Sequence, residues 1–205
     1  MFTEIDGGDE FVIAKADGYK ISLVHRSSGK ANSNAVDVAG VILEHINNAT
    51  ALHTARGITQ KVRVKIDTIG VGWGVVSLLK AWQNEKRHNG EIVAVNVAER
   101  PKDQAKFKNQ RAEMWWNTRS LLQPKDDRQD VRLEVDRAVL AQLAGPTFKS
   151  DSSGRIQIES KVDMKKRGVH SPDRAEAILL ALYENKTVHQ PISPLSFTQS
   201  NPWTL

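Results

Sequence analysis

The sequence contains no cysteine, so it can form neither disulfide bonds nor thiolate metal sites. This absence permits a reducing compartment but does not prove one. The chain also has no long apolar run and no charged-then-apolar leader, and we therefore expect a soluble, unexported protein. Its six histidines show no H-x-x-x-H spacing, and we assign none of them a catalytic role.

Two phosphate-binding motifs are missing as well. The chain has no G-x-x-x-x-G-K-[ST] loop, and Gly70, Gly72 and Gly74 read G-x-G-x-G instead of the dinucleotide-binding G-x-G-x-x-G. A tight turn with close packing of strand against helix accounts for these glycines as well as contact with a phosphate does. A nucleotide-binding α/β enzyme is therefore a minor alternative, which dinucleotide binding at micromolar concentration would support.

What the sequence does contain is an excess of positive charge. Lys and Arg number 29 against 24 Asp and Glu, a net charge of +5 over 205 residues, which makes a polyanionic partner plausible. This length suits one substantial core. We expect a single domain over residues 1–184, followed by a loose tail over 185–205 that carries three prolines and little periodicity.

The first half of the chain alternates strand and helix patterns. Asp17-Gly18 separates two short β-prone runs and predicts a hairpin turn. The predicted elements, in order, are strands at 11–14 and 19–24, a helix at 36–46, a strand at 62–66, a helix at 75–82 and a strand at 92–97. Because a helix connects the last two strands, we expect them to be parallel.

The second half is more helical. The predicted elements are helices at 104–122 and 133–143, a turn at 151–154, a strand at 155–159 and a helix at 171–182. Ser171 is expected as the N-cap of the last helix, with Pro172 at its first position. The Trp115-Trp116 pair favours core packing over a ligand stack. These patterns define an α/β fold with a mixed sheet, in which an antiparallel hairpin joins parallel strands flanked by helices.

Three carboxylates are candidates for a metal site. Asp67 lies where the strand at 62–66 ends, and Asp173 and Glu176 project to one side at the start of the last helix. The acidic pair alone is typical of a solvated helix start, because negative charge is favoured at that end of the dipole. If Asp67 lies nearby, the three would repel one another unless a hard cation such as Mg²⁺ or Mn²⁺ bound between them.

A basic run precedes the acidic helix. Lys161, Lys165, Lys166 and Arg167 concentrate positive charge there, which is ordinarily a solvated loop. Beside a metal site, the same residues would hold a nucleic-acid backbone, since Lys and Arg supply most sequence-independent affinity for nucleic acids.

Three segments taken together resemble a known family. They read IDTIGVGWGVVSLL, FKNQRAEMWWNTRSLL and DSSGRIQIESKVDMKKRGVHSPDRAEAILL, in that order. The combination resembles the C-terminal nuclease domain of tailed-bacteriophage terminase large subunits over about residues 7–184. The resemblance implies an RNase H-like fold and cleavage of concatemeric double-stranded DNA during genome packaging. It also implies two divalent metal ions, Mg²⁺ or Mn²⁺, held by a carboxylate cluster, and a location in the bacterial host cytoplasm.

The resemblance carries over to individual residues. Asp67 matches the family's acid at the tip of the central strand, and Asp173 and Glu176 match the acids of its S-P-D-x-A-D-A stretch, with glutamate in place of the last aspartate. A further acid is expected on the first strand, and its position falls near Phe2, so the chain begins too late to include it. Glu4, Asp6 and Asp9 are substitutes, of which Glu4 is preferred because it would lie on the same strand face.

The resemblance leaves several alternatives open. The family's ATPase motor has no counterpart here, so we expect an excised nuclease domain or the product of a truncated prophage gene. The terminase small subunit and the portal ring are partners by resemblance alone. A catalytically impaired remnant that binds DNA or assembly partners is the main rival to the nuclease. A junction-resolving or RNA-hybrid nuclease of the same fold is another.

Overall fold

The computed structural model describes residues 10–29, 34–124 and 131–183. Within these ranges the strands are β1 (Glu10–Asp17), β2 (Lys20–Ser28), β3 (Arg63–Asp67), β4 (Glu91–Val95), β5 (Arg132–Glu134), β6 (Phe148–Ser150) and β7 (Ile156–Ile158). The helices are α1 (Ala35–Ala55), α2 (Gly72–Asn84), α3 (Gln110–Leu122), α4 (Arg137–Ala144), α5 (Lys161–Lys166) and α6 (Asp173–Leu182). Glu4, Asp6, Asp9 and the expected tail at 185–205 lie outside the described residues.

The predicted hairpin and parallel pair are both confirmed. β1 and β2 pair antiparallel around a turn in which Gly18 has φ +61°, a conformation that favours glycine. β3 and β4 pair parallel, with Ile66 opposite Ala94 and Asp67 opposite Val95. α2 provides the crossover between them, so Asp67 ends its strand at the edge of the sheet from which α2 departs.

The core forms between the strands and the helices that cover them. Phe11 of β1, Val38 of α1, Ile66 of β3 and Leu79 of α2 belong to one buried apolar cluster. α6 packs against β1, α3 and α4, and its Ile178 is fully buried. α6 is therefore held between the sheet and the second-half helices, which fixes the position of its acidic first turn.

Two sequence-based predictions in the second half are wrong in detail. The helix predicted from residue 104 begins at Gln110, because the Asn109 side chain accepts a hydrogen bond from the backbone N–H of Ala112. The helix predicted at 133–143 is split: Arg132–Glu134 pairs with β2 in parallel, and α4 starts after Asp136, which caps the N–H of Val139. The short ladder to β2 outweighs the helical propensity of the residues around Leu133.

Two further differences concern the approach to the acidic helix. The basic run forms a short helix, α5. The Ser160 hydroxyl oxygen caps this helix by accepting a hydrogen bond from the backbone N–H of Asp163. Pro172, not Ser171, occupies the N-cap position of α6, and the Ser171 hydroxyl donates to Asp173 instead. The predicted strand at 155–159 is confirmed in its centre as β7, and its antiparallel partner β6 was not predicted. No helix among the described residues is long and apolar enough to cross a membrane.

Candidate active site

Asp67 is presented by a turn that only glycine permits. Its side chain is buried, with 4% of the residue exposed, and its Oδ1 accepts the N–H of Ile69 at 3.1 Å. A Cβ on Gly72 would lie 1.7 Å from the Asp67 carbonyl oxygen, so any larger residue would collide with the strand end. Gly70 has φ +65°. These contacts support the interpretation of the glycines as a tight turn with close packing.

The pKa of Asp67 reflects its surroundings. The pKa is raised from 3.8 to about 6: burial is the largest cause, the hydrogen bond from the N–H of Ile69 acts in the opposite direction, and the negative charge of Glu176 adds to the increase. Asp67 and Glu176 also line the same small cavity. The structure therefore brings together the strand-end acid and the last acid of α6, although they are separated by more than a hundred residues.

Asp173 is held by hydrogen bonds on both of its oxygens. Oδ1 accepts from the Ser171 hydroxyl at 2.6 Å and from the Lys161 ammonium at 3.1 Å, and Oδ2 accepts the N–H of Glu10 at 3.0 Å. Burial alone would raise the pKa of Asp173, but Lys161 and the hydrogen bonds hold it below its usual value. Its fixed orientation ties the start of α6 to α5 and to the start of β1.

A second link joins β1 to α6. The guanidinium of Arg174 donates to both oxygens of Glu10, at 2.5 and 2.8 Å. This bidentate pair is partly buried, and it lowers the pKa of Glu10. Together with the Glu10–Asp173 hydrogen bond, it anchors the acidic turn to the sheet.

Lys161 lies between two of the acids. Its ammonium is 3.1 Å from Asp173 Oδ1 and 2.8 Å from Glu176 Oε2. Burial would lower the pKa of Lys161, but the two carboxylates together raise it, so the ammonium is charged. The sequence suggested that Lys161 belongs to a DNA-binding run; its ammonium instead contacts the acids that were expected to bind metal.

Arg111 is a site residue that the sequence reasoning did not single out. Its Nε donates to Glu176 Oε1 at 2.9 Å and its Nη1 to the Glu159 carbonyl at 2.7 Å, while Nη2 is buried with no partner among the described residues. Arg111 lies within the segment FKNQRAEMWWNTRSLL, where nothing in the spacing distinguishes it from other polar helix residues. Only the packing of α3 against α6 reveals its role.

The remaining basic residues of the run lie farther from the acids. Lys165 is exposed, Lys166 pairs with Asp163 at 3.3 Å, and Arg167 contacts Glu159 at 2.7 Å. The Arg167 hydrogen bond lowers the pKa of Glu159 to about 2. Two of the four basic residues therefore pair with neighbouring carboxylates, and Lys161 lies within the acidic cluster.

The donor chemistry of this site suits a hard cation. Asp67, Asp173 and Glu176 supply carboxylate oxygens, which Mg²⁺ and Mn²⁺ prefer, and a cation, the Lys161 ammonium, already lies between two of them. Within residues 10–29, 34–124 and 131–183, no three His, Asp or Glu side chains are arranged to hold a metal ion. Lys161 and Arg111 instead neutralise Glu176 in this structure.

Comparison with known proteins supports the fold. No family model matches the chain, and no curated protein matches it either. Among solved structures, the nuclease domain of the large terminase subunit gp2 of bacterial virus Sf6 has a TM-score of 0.58 and 18% identity, over 90% of this chain and 84% of that one. A mutant of that domain with manganese and beta-thujaplicinol has a TM-score of 0.56 at 19% identity, with the same coverage.

A third structure, the same mutant domain with calcium, also has a TM-score of 0.56 and 19% identity over 90% of this chain and 84% of that one. The class of fold is therefore α/β and RNase H-like, as predicted. More particularly, the chain has the fold of a phage terminase nuclease domain. At this level of identity the likeness establishes the fold, and the activity has to be argued from the site.

Proposed function

We propose that this chain is a metal-dependent endonuclease domain of the terminase large-subunit type, which cuts concatemeric double-stranded DNA during genome packaging. One observation carries the proposal. In an RNase H-like fold, Asp67 at the end of β3 shares a buried cavity with Glu176 of α6. Burial and the negative charge of Glu176 raise the pKa of Asp67, and carboxyl groups perturbed in this way are typical of functional sites.

The metal ligands would be Asp67, Glu176 and Asp173, with Glu4 as a further acid. Two Mg²⁺ or Mn²⁺ ions held there would activate the attacking water and stabilise the leaving oxygen of an in-line displacement at phosphorus. The similar domains solved with manganese and with calcium support divalent ions as the cofactor class. We take Asp67 as the principal ligand because, among the residues that the structure describes, its carboxyl forms no ion pair like those of Glu176 with Arg111 and Lys161.

The protein's own cations set the charge of the site. The Lys161 ammonium offsets the repulsion between Asp173 and Glu176 when no metal is present, and its flexible stem lets it leave when a divalent ion enters. Arg111 is held more firmly, because a second nitrogen donates to the Glu159 carbonyl. We therefore assign Lys161 to exchange with the metal, and Arg111 to hold Glu176 in one orientation.

The proposal also assigns the extent of the domain, its location, its partners and its DNA contacts. Residues 1–184 would form the nuclease unit, acting in the bacterial host cytoplasm with the terminase small subunit and the portal as partners. Lys165, Lys166 and Arg167 would contact the DNA backbone near the acids, and Lys161 would join them once displaced. The net charge of +5 supports a polyanionic substrate.

A second candidate is a protein that keeps the fold and binds DNA without cutting it. The observation in its favour is that Arg111 and Lys161 already neutralise Glu176, while the described residues include no three-ligand metal group. The nucleotide-binding alternative has no such support, since the close contact between Gly72 and the Asp67 carbonyl explains this glycine by packing of strand against helix.

A cleavage assay on matched substrates tests the proposal. Linear duplex, branched DNA and an RNA–DNA hybrid of equal length would be incubated with the protein in Mg²⁺, Mn²⁺ or EDTA, with Glu176→Gln as the inactive control. We expect metal-dependent cutting of the duplex that Glu176→Gln abolishes. Cleavage confined to branched DNA or to the hybrid would assign a different nuclease of this fold, and binding without cleavage in every metal would favour the second candidate.

A further inference from the structure

A basic and aromatic surface lies on the outer side of α3, away from the acids. Trp116 is half-buried and meets Phe148 of β6 edge to face, with ring centroids 5.2 Å apart and planes at 84°. The Lys106 ammonium lies 5.9 Å from the Trp116 ring centroid, and the Arg119 guanidinium lies 5.0 Å from it. We call these four residues, Lys106, Trp116, Arg119 and Phe148, the tryptophan patch.

Packing of the core does not explain the tryptophan patch. Phe148 is 58% exposed, and all three residues of β6 face solvent. The buried aromatic residue of this region is Phe107, which is only 3% exposed. An exposed phenylalanine beside a tryptophan that contacts two cations forms a surface that is both apolar and positively charged, which suits a partner of matching character.

The cations of the patch are available for an anion. Among the described residues, neither Lys106 nor Arg119 forms an ion pair with a carboxylate; the Asp103 carboxylate accepts the backbone N–H of Lys106, not its ammonium. Arg167, in the run that the sequence favoured for DNA binding, is paired with Glu159. Binding a phosphate there would require breaking an existing pair, whereas the patch can bind one without that cost.

The patch is also close to the candidate active site. Trp116 follows Arg111 by five residues in α3, which corresponds to about 8 Å along the helix axis. Glu159, whose carbonyl accepts from Arg111, directly follows β7, the partner strand of β6. One rigid unit of α3 and the β6–β7 hairpin therefore carries both the residue that holds Glu176 and the patch.

We propose that the tryptophan patch is a second DNA-contact surface, which binds the duplex beside the position of cleavage. Lys106 and Arg119 contact phosphates, and the Trp116 and Phe148 rings pack against the sugar and base edges between them. The assignment rests on the proposed function for its choice of duplex DNA. An acidic protein segment would also satisfy the two cations, and competition with poly-glutamate distinguishes it from DNA.

Binding without cleavage tests the patch separately from the chemistry. The anisotropy of a labelled 30-base-pair duplex would be measured in EDTA, over a range of salt concentrations, for the wild type and for Lys106→Ala/Arg119→Ala. The matched control is Lys80→Ala/Arg87→Ala, which removes the same number of positive charges. It also removes a comparable cation–π contact, since the Arg87 guanidinium lies 4.2 Å from the centroid of the Trp82 ring. Thermal melting of each variant would verify that the fold is retained.

We expect the patch variant to bind at least tenfold more weakly at 0.1 M salt. The slope of log K against log salt should fall by about 1.8, since each lost phosphate contact contributes about 0.9. Phe148→Ala should weaken binding with little change in that slope. The control variant should keep both the affinity and the slope.

Equal affinity of the patch variant and the control would overturn the proposal, as would a wild type that binds no duplex. Poly-glutamate that competes as well as DNA at equal charge would also overturn it and would assign the surface to acidic proteins. Cleavage in Mn²⁺, which depends on Asp67 and Glu176, is measured separately: unchanged affinity of the patch variant in a protein that cuts duplex overturns the patch alone, whereas a wild type that neither binds nor cuts duplex overturns both proposals. Failure of the patch and failure of the proposed function are therefore distinguishable.

Discussion

Replacing Asp67 with asparagine should stabilise the metal-free protein while it abolishes cleavage. The buried Asp67 carboxyl has its pKa raised from 3.8 to about 6, chiefly by burial, so ionising it costs more in the folded than in the unfolded state. A difference of about two pKa units, at about 1.4 kcal/mol each, corresponds to about 3 kcal/mol. Asparagine removes that cost, and its side-chain oxygen can still accept from Ile69.

The effect has a defined dependence on pH. Because the folded-state pKa of Asp67 is the higher one, its bound proton stabilises the fold fully below about pH 4, and this contribution is lost as the pH rises through about 6. Asp67→Asn should therefore match the wild type near pH 4 and exceed it by about 3 kcal/mol at pH 8. For a domain of this size, that difference is about 5 to 10 °C in melting temperature.

The assay is thermal melting in EDTA from pH 4 to pH 8. Glu85→Gln, which alters an exposed acid at the end of α2, is the matched control and should show no such trend. Divalent metal should remove that difference, because a ligand at a hundredfold excess over its Kd adds about 2.7 kcal/mol to the stability of the wild type. Calcium should stabilise as Mg²⁺ and Mn²⁺ do while supporting little cleavage. Equal melting temperatures at pH 8 in EDTA would refute the reasoning.

Three other substitutions test the supports of the site. Lys161→Ala should lower the stability of the metal-free protein by about 2 kcal/mol, because two buried carboxylates lose a shared partner. The same variant should bind Mn²⁺ more tightly in a calorimetric titration. Unchanged affinity for Mn²⁺ would contradict the exchange of the Lys161 ammonium for the metal. Arg174→Ala should cost about 1–3 kcal/mol in denaturant unfolding by leaving Glu10 unpaired. Gly72→Ala should prevent folding, as judged by circular dichroism, whereas Gly40→Ala, with no atom within 4 Å of the new methyl group, should be neutral or stabilising.

Local patterns were sufficient to predict the first half of the fold. The hairpin at Gly18 and the strand ending at Asp67 both follow from short-range periodicity and turn chemistry, and both are confirmed. The second half was predicted less well, because β5 is a strand only by virtue of pairing with β2, more than a hundred residues earlier. No local pattern encodes that pairing, and residues around Leu133 favour a helix when they are considered alone.

The candidate site could likewise be predicted from the sequence only in part. Asp67, Asp173 and Glu176 could be named from the sequence, because strand ends and helix starts are recognisable and because the three segments resemble a known family. The cations could not be assigned in the same way. Lys161 joins the acids only because α5 is a helix that turns its first residue inward, and Arg111 does so only because α3 packs on α6.

The most direct test of the central claim is nicking of supercoiled plasmid by the purified protein in Mn²⁺, with Asp67→Asn measured in parallel. If the proposed function is correct, the wild type converts supercoiled plasmid to nicked and linear forms, EDTA stops the reaction, and Asp67→Asn is inactive although it melts at the same or a higher temperature. Cleavage by Asp67→Asn at the wild-type rate, or no cleavage by the wild type in either Mn²⁺ or Mg²⁺, would contradict it.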